Sequence, residues 1–302
     1  MTFSAKDVAD LRQKTGAGMM ECKKALTESN GSVEKAAELL RQKGIVAAAK
    51  KADKIAMEGI VVSKISDDKK AGVIIELNTQ TDFVAKNERF IELSKKVLDT
   101  AVKNKTKSAE ELLNIKIDGT TVADLIKAEI ATIGENIQLR RVDLYDVDKG
   151  VVGSYIHPVG NKIGVLVKLT STTDGNTSEL EVLAKNIAMH VAASQPQPEY
   201  IDKSSIPAET IENEKRIELG KEDLAKKPKE IAEKIVQGRL DKILAQRCLL
   251  EQPFIKDPGL TIDKLISEKG KQLNSEIRVA GFIRYNIGET VDKSQEKEIA
   301  AV

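Results

Sequence analysis

Side chains able to hold a metal, attack a carbonyl or shuttle a proton near neutral pH are few in this chain. Its 302 residues include two histidines, His157 and His190, and two cysteines, Cys22 and Cys248. A zinc site draws three or four His, Cys or carboxylate ligands at recognisable spacing, and these four residues are not so placed. The chain has no G-x-x-x-x-G-K-[ST] loop to cradle a phosphate and no G-x-G-x-x-G opening a helix after a strand. It has no G-x-S-x-G nucleophile elbow. His190, within Ile187–Ser194, reads as a packed structural residue on a helix. His157 precedes Pro158 in an expected hairpin turn, which suits a surface position. The expectation is a protein that acts by binding, with no catalytic residue, no bound metal and no cofactor.

Aromatic side chains are the scarce resource. There is no Trp, and five Phe and four Tyr make up 3% of the chain. Base-stacking platforms of the kind used on single-stranded nucleic acid are therefore poorly supplied. Phe83 stands out because of an internal repeat. Gly150–Ile156 (GVVGSYI) echoes Gly59–Ile65 (GIVVSKI) at an offset of 91, and Ile163–Asp174 echoes Ala71–Asp82 at an offset of 92. Each copy reads strand, turn, strand, helix, and self-similarity of this size marks a duplicated unit. Both copies end in Thr-Asp before the helix, but one continues Phe83-Val84 and the other Gly175-Asn176. An aromatic that only one copy carries is not required by the fold. Spacing alone offers a rival reading, because Phe83 lies seven residues before Phe90 and suits a helix stripe or staple.

The elements that must carry these residues follow from periodicity. Ser4 and Asp7 form an S-x-x-D capping box, Thr15–Gly18 breaks that helix, and Met19, Cys22 and Leu26 share a face of the next. On that spacing Met19 reads as core. Ser32 caps a third helix ending at Gly44, and Ile45–Ala56 reads as a connector. Strands 59–65 and 72–77 flank the turn Asp67–Lys70. A helix spans Asp82 to about Asn104 with Phe90, Leu93 and Val97 on one stripe, a second covers 121–133, and 137–147 is extended. After the Gln195–Pro198 break, 207–225 and 228–250 form a helical hairpin with Ile211, Leu224, Ile231, Ile235 and Ile243 as its seam. Residues 261–273 are helical, and 275–288 form a strand returning to the second sheet.

Composition narrows the partners. The net charge is +1, from 48 Lys+Arg against 47 Asp+Glu, which argues against a strongly basic nucleic-acid binder. No apolar run approaches the roughly 20 residues of a membrane helix, so no membrane association is expected. The opening MTFSAKDVADLR lacks an apolar signal core. With two cysteines that share no motif, this gives a cytoplasmic expectation.

Two long stretches, Leu11–Leu26 (LRQKTGAGMMECKKAL) and Glu76–Asn87 (ELNTQTDFVAKN), resemble the elongation factor Ts family. Shorter likenesses occur at Gly134–Ile137, His190–Ser194, Pro228–Lys234 and Gly281–Arg284. Thr79 departs from the Cys common in that family. The resemblance implies an α+β fold with an N-terminal three-helix (UBA-like) module and linker, 1–55. A duplicated antiparallel-sheet/helix core follows, its first copy at 56–147 and its second at 148–200 with 253–290. A helical hairpin is inserted at 201–252, and 291–302 is a tail. It implies a guanine nucleotide exchange factor that binds elongation factor Tu, GDP-bound or nucleotide-free, without binding nucleotide itself. Thr81, Asp82, Phe83 and Val84 would disturb the partner's magnesium site, with Phe83 wedged between two partner helices. Arg12, Met19, Met20 and Lys23 would form a second contact. The hairpin is a candidate homodimer surface. The alternative is an RNA- or ribosome-associated protein, motivated by Lys23-Lys24 and by Lys50-Lys51 with Lys54.

Overall fold

The computed structural model describes residues 3–52, 54–117, 119–224 and 228–289. The tail at 291–302 lies outside them. The fold is α+β. Helices α1 (Ala5–Thr15), α2 (Met19–Glu28) and α3 (Val33–Lys51) close around Leu11, Cys22, Ala25, Leu26 and Ala36. The Ser4 hydroxyl accepts from Asp7 N at 3.2 Å while Asp7 accepts from Ser4 N at 2.7 Å, which completes the expected capping box.

Gly44 does not end α3, and the expected connector is helical as far as Lys51. A Cβ at Gly44 would stand 3.2 Å from Ala131 Cβ, so this glycine serves helix packing rather than termination. The segment beyond is also tied down, because buried Asn136 donates from Nδ2 to the Ala52 and Lys54 carbonyls at 3.2 and 2.7 Å.

The first copy contains β1 (Glu58–Ile65), β2 (Ala71–Thr79), α4 (Asp82–Ala85), α5 (Glu88–Asn104), α6 (Ala109–Leu113), β3 (Lys116–Ile117), β4 (Thr120–Thr121), α7 (Val122–Ile133) and β5 (Ile137–Asp146). Its antiparallel sheet runs β1-β2-β5. Phe90, Leu93 and Val97 of α5 bury against Val73, Ile75 and Leu77 of β2. The single helix expected from Asp82 to Asn104 is broken at Lys86-Asn87, where Asn87 Oδ1 accepts from Arg89 N at 2.9 Å and starts α5 afresh.

The second copy contains β6 (Gly150–Ile156), β7 (Ile163–Ser171) and α8 (Thr177–Ala193). After an inserted hairpin of α9 (Ala208–Leu219) and α10 (Lys229–Arg247) it resumes with β8 (Pro253–Phe254), β9 (Asp257–Thr261), α11 (Ile262–Leu273) and β10 (Ile277–Asn286). Its sheet order, β10-β7-β6, repeats that of the first. The duplication is longer than the sequence suggested. A two-stranded ribbon, a Thr-capped helix and a third strand recur as β3-β4-α7-β5 and β8-β9-α11-β10.

The two sheets meet reciprocally. Val61 N donates to Asn161 O and Val152 N donates to Lys69 O, each at 2.7 Å. A Cβ on Gly72 would run into Val152, and one on Gly164 into Val61. At the repeat's offsets, each contact is the other's counterpart, the signature of a two-fold, self-complementary interface. Within the first copy, fully buried Glu76 accepts from Arg141 Nε at 2.5 Å, and the arginine so held reaches across to the Asn286 carbonyl at 3.2 Å and to Glu289 at 3.0 Å.

In the hairpin, α10 turns Ala232, Val236, Leu240 and Leu244 inward, packed with Leu224 and Ile206. Ile231 is exposed and Ile243 half-buried, against expectation. The inward stripe repeats every four residues from 232, and Ile231 sits about 100° round the helix from it.

Candidate partner-binding site

Strand β2 is buried without interruption from Gly72 to Thr79 and ends in an exposed corner. Thr81 has extended backbone (φ −122°, ψ 154°) and caps the four-residue α4, its hydroxyl accepting from Val84 N at 3.3 Å. Side chains then divide by direction. Ala85 is buried and Val84 packs on the first core, whereas Phe83 is 82% exposed. The stripe or staple reading of Phe83 fails because the helix breaks between it and Phe90, so helical phase is not carried across. Phe90 is fully buried.

Asp82 does not cap the turn. Its carboxylate accepts from Lys86 Nζ at 2.7 Å, and that hydrogen bond, more than the lysine's charge, holds its pKa below the usual carboxylate range. The same bond raises Lys86. The corner is held from behind by Glu135, on the loop between α7 and β5. Glu135 accepts from Thr79 Oγ1 at 3.0 Å, from Thr81 N at 3.0 Å and from Thr81 Oγ1 at 2.8 Å.

The other four candidates come together elsewhere. Arg12, Met19, Met20 and Lys23 line one cleft of about 1140 Å³ between the N-terminal helices and the α5/α7 face of the first copy. Met19 and Met20 are 59% and 64% exposed, so Met19 is not core. The Cys22 thiol lies 3.7 Å from Ala17 O and 4.0 Å from Thr15 Oγ1, so the loop before α2 closes the module's core and leaves Met19 outside it. Arg89 spans the floor of the cleft. It donates to Glu129 of α7 at 3.2 and 3.3 Å, and its guanidinium occupies the space a Cβ on Gly16 would need. Gly16, at φ +69°, is suited both to that approach and to ending α1 in the left-handed region.

Sequence reading missed Arg89 and Glu135, whose partners lie 40 to 56 residues away and leave no local pattern. His190 is structural as expected. Ile255 N donates to its Nδ1 at 3.2 Å, so the proton sits on Nε2, which faces Gln252 Oε1 at 2.9 Å. Burial holds its pKa below the ordinary value. Lys51 is engaged with the Gly134 carbonyl, and the Lys50 side chain lies outside the described residues. Among the described residues no group of three or more His, Cys, Asp or Glu is placed to hold a metal, and no helix is long and apolar enough to cross a membrane.

The family profile described as elongation factor TS matches residues 80–289. A protein of Nitratiruptor sp. named elongation factor Ts is 44% identical over 303 residues, covering 100% of this chain and 98% of its own. One from a Nostoc species is 47% identical over 309 residues, at 99% and 97% coverage. One from Clostridium botulinum is 45% identical over 297 residues, at 97% and 95%; both carry that name. With matches of this length across all parts of the fold, the chain belongs to the elongation factor Ts family of translation elongation factors.

Proposed function

We propose that the protein is a guanine nucleotide exchange factor that binds elongation factor Tu in the cytoplasm and promotes release of its GDP. The observation that carries this reading is an aromatic ring 82% exposed at the end of an otherwise buried strand. A ring so placed gains nothing for its own fold and is available to a partner. A GTPase holds its nucleotide through a magnesium ion that neutralises the phosphates. A rigid ring pushed between helices beside that ion displaces its ligands at little side-chain entropy cost. Asp82 stands next to the ring, while Thr81 and Val84 shape the corner. No bond is made or broken. Factor and nucleotide weaken each other's binding by the same ratio, as linkage requires.

Energetics call for the second contact. Burying one Phe contributes about 1.5–3 kcal/mol, whereas a 10⁴-fold shift needs about 5.5 kcal/mol. The cleft bearing Arg12, Met19, Met20 and Lys23 supplies the remainder, its flexible thioethers adapting to an irregular surface. In this reading 1–55 is a docking module, the two core copies carry the wedge, and the hairpin at 201–252 is an accessory element. The test is release of labelled GDP from purified elongation factor Tu at increasing concentrations of the intact chain. Accelerated release supports the proposal, and release at the spontaneous rate would overturn it.

A further inference from the structure

Phe83 makes its case by exposure, but an exposed ring inserts usefully only if its backbone holds still. The turn that carries it is short. Its internal hydrogen bonds are Ala85 N to Thr81 O and Lys86 N to Asp82 O, both at 3.2 Å, and Asn87 N to Val84 O at 2.9 Å. A four-residue helix is not stable alone, because nucleation is costly. Something outside the turn must hold it.

We infer that Glu135 is a positioning residue, whose carboxylate locks the Thr81 corner and so presents Phe83 at a fixed angle to the partner. The inference rests on the reading of Phe83 as the intruding side chain. Glu135 has no ion-pair partner among the described residues, and all three of its hydrogen bonds come from this corner. Those bonds do distinct work. Thr79 is fully buried, and Glu135 is the acceptor for its hydroxyl. The bond from Thr81 N fixes the backbone where strand becomes turn. The bond from Thr81 Oγ1 commits that hydroxyl's proton to Glu135, which leaves a lone pair aimed at Val84 N. The relay from Glu135 through Thr81 to Val84 thus brackets Phe83 on both sides.

The second copy provides an internal comparison. Ser275 stands two residues before β10, as Glu135 stands two residues before β5. Its Oγ lies 2.8 Å from Ser171 Oγ and accepts from Thr173 N at 3.2 Å, and these residues match Thr79 and Thr81 at an offset of 92. The bracing position is therefore built into both copies. With a hydroxyl there instead of a carboxylate, the second corner has no equivalent of α4. The chain passes through Gly175 at φ +101° straight into α8. Ser275 Oγ also meets Thr172 Oγ1 at 3.2 Å and so has three partners too; what differs is the longer carboxylate, which occurs where the aromatic occurs.

The chain contains no tryptophan, so Phe83→Trp places a single indole, excited selectively over the four tyrosines, at the exposed tip of the full-length protein. In time-resolved anisotropy, adding Glu135→Ala is expected to raise the nanosecond-motion amplitude of the indole about twofold, with Glu135→Gln between. In GDP release from elongation factor Tu, Glu135→Ala is expected to slow the saturated rate about tenfold, with affinity for the nucleotide-free partner changing less than about threefold. It should add nothing further in a Phe83→Ala background, because a brace with no ring to aim is without consequence. A residue of merely structural importance would lower thermal stability and multiply its effect with that of Phe83→Ala. Unchanged anisotropy in a folded Glu135→Ala protein, or a multiplicative loss in the double variant, would overturn the inference. Should Glu135→Ala fail to fold by circular dichroism, Glu135→Gln carries both measurements. The anisotropy needs no partner, so it judges the brace even if intact protein fails to accelerate release.

Discussion

Truncating Phe83 separates what a side chain does for its own fold from what it does for a partner. At 82% exposure, its ring buries little area within the chain. Phe83→Ala should therefore move the unfolding free energy by less than about 0.5 kcal/mol, as at other surface positions. Phe90, fully buried seven residues later, is the built-in control, and Phe90→Ala should cost about 3–5 kcal/mol. In complex with the GTPase the order reverses. If the 1.5–3 kcal/mol or so of ring burial is realised only in the complex that expels nucleotide, Phe83→Ala slows saturated GDP release by about ten- to a hundredfold. Urea unfolding followed by circular dichroism measures the first quantity, and stopped-flow displacement of a fluorescent GDP measures the second. A Phe83→Ala chain destabilised by more than about 1 kcal/mol would mean that the ring packs on its own subunit. Undiminished exchange by a stable Phe83→Ala chain would remove the wedge from the mechanism.

Two further outcomes test the scaffold. Gly164→Ala should cost about 1–3 kcal/mol in urea unfolding by overpacking the inter-sheet seam, since its Cβ would meet Val61, Ile156 and Ile74; Val61→Ala in the same chain should recover part of the loss. Burial holds His190 below its ordinary value of 6.5, so the unfolded chain binds this proton more readily. The contribution is complete above about pH 6.5 and is lost as pH falls through that value toward the folded-state pKa. His190→Gln should accordingly show a shallower drop in melting temperature between about pH 7.5 and 5.5.

What could be read from sequence was what local chemistry encodes. The Ser4–Asp7 box, the two strand–turn–strand repeats and the Phe90, Leu93, Val97 stripe all follow from neighbours within a turn or a pleat. The errors fall where a distant partner decides. A glycine that stops a helix and one that admits a crossing helix look alike, and only Ala131 identifies Gly44 as the second kind. Asn87 sits in a run of good helix formers, and its capping bond divides what periodicity joined. Met19 shares a face with Cys22 by count, but the preceding loop covers the Cys22 end of that face first. Both groups of candidate residues came from the family likeness. The way Glu135 and Arg89 hold them was not, because those contacts join segments the sequence keeps apart.

If Phe83 is the intruding side chain, duplication also accounts for the choice of this corner over other parts of the core. Each copy's hairpin turn is engaged in the two-fold seam, with Lys69 O and Asn161 O bonded to the opposite sheet. Those ends cannot enter another protein. The strand-to-helix corners lie at the other end of each hairpin; there Lys162 of the second copy reaches Glu58, the register partner of Thr79, at 2.7 Å, while Phe83 itself stays exposed. In the first copy that corner terminates β2, a central strand paired on both sides by β1 and β5. A force applied at Phe83 is therefore met by two hydrogen-bonded neighbours and by the close-packed second sheet behind them, which yields little because protein interiors are dense and barely compressible. The second copy has an equivalent strut in β7, flanked by β6 and β10, but its corner ends in Asp174-Gly175-Asn176 and carries no ring. Symmetry supplies the stiffness twice, and on the proposed reading two departures from it, an aromatic at 83 and a carboxylate at 135, would turn one of the two struts into a tool.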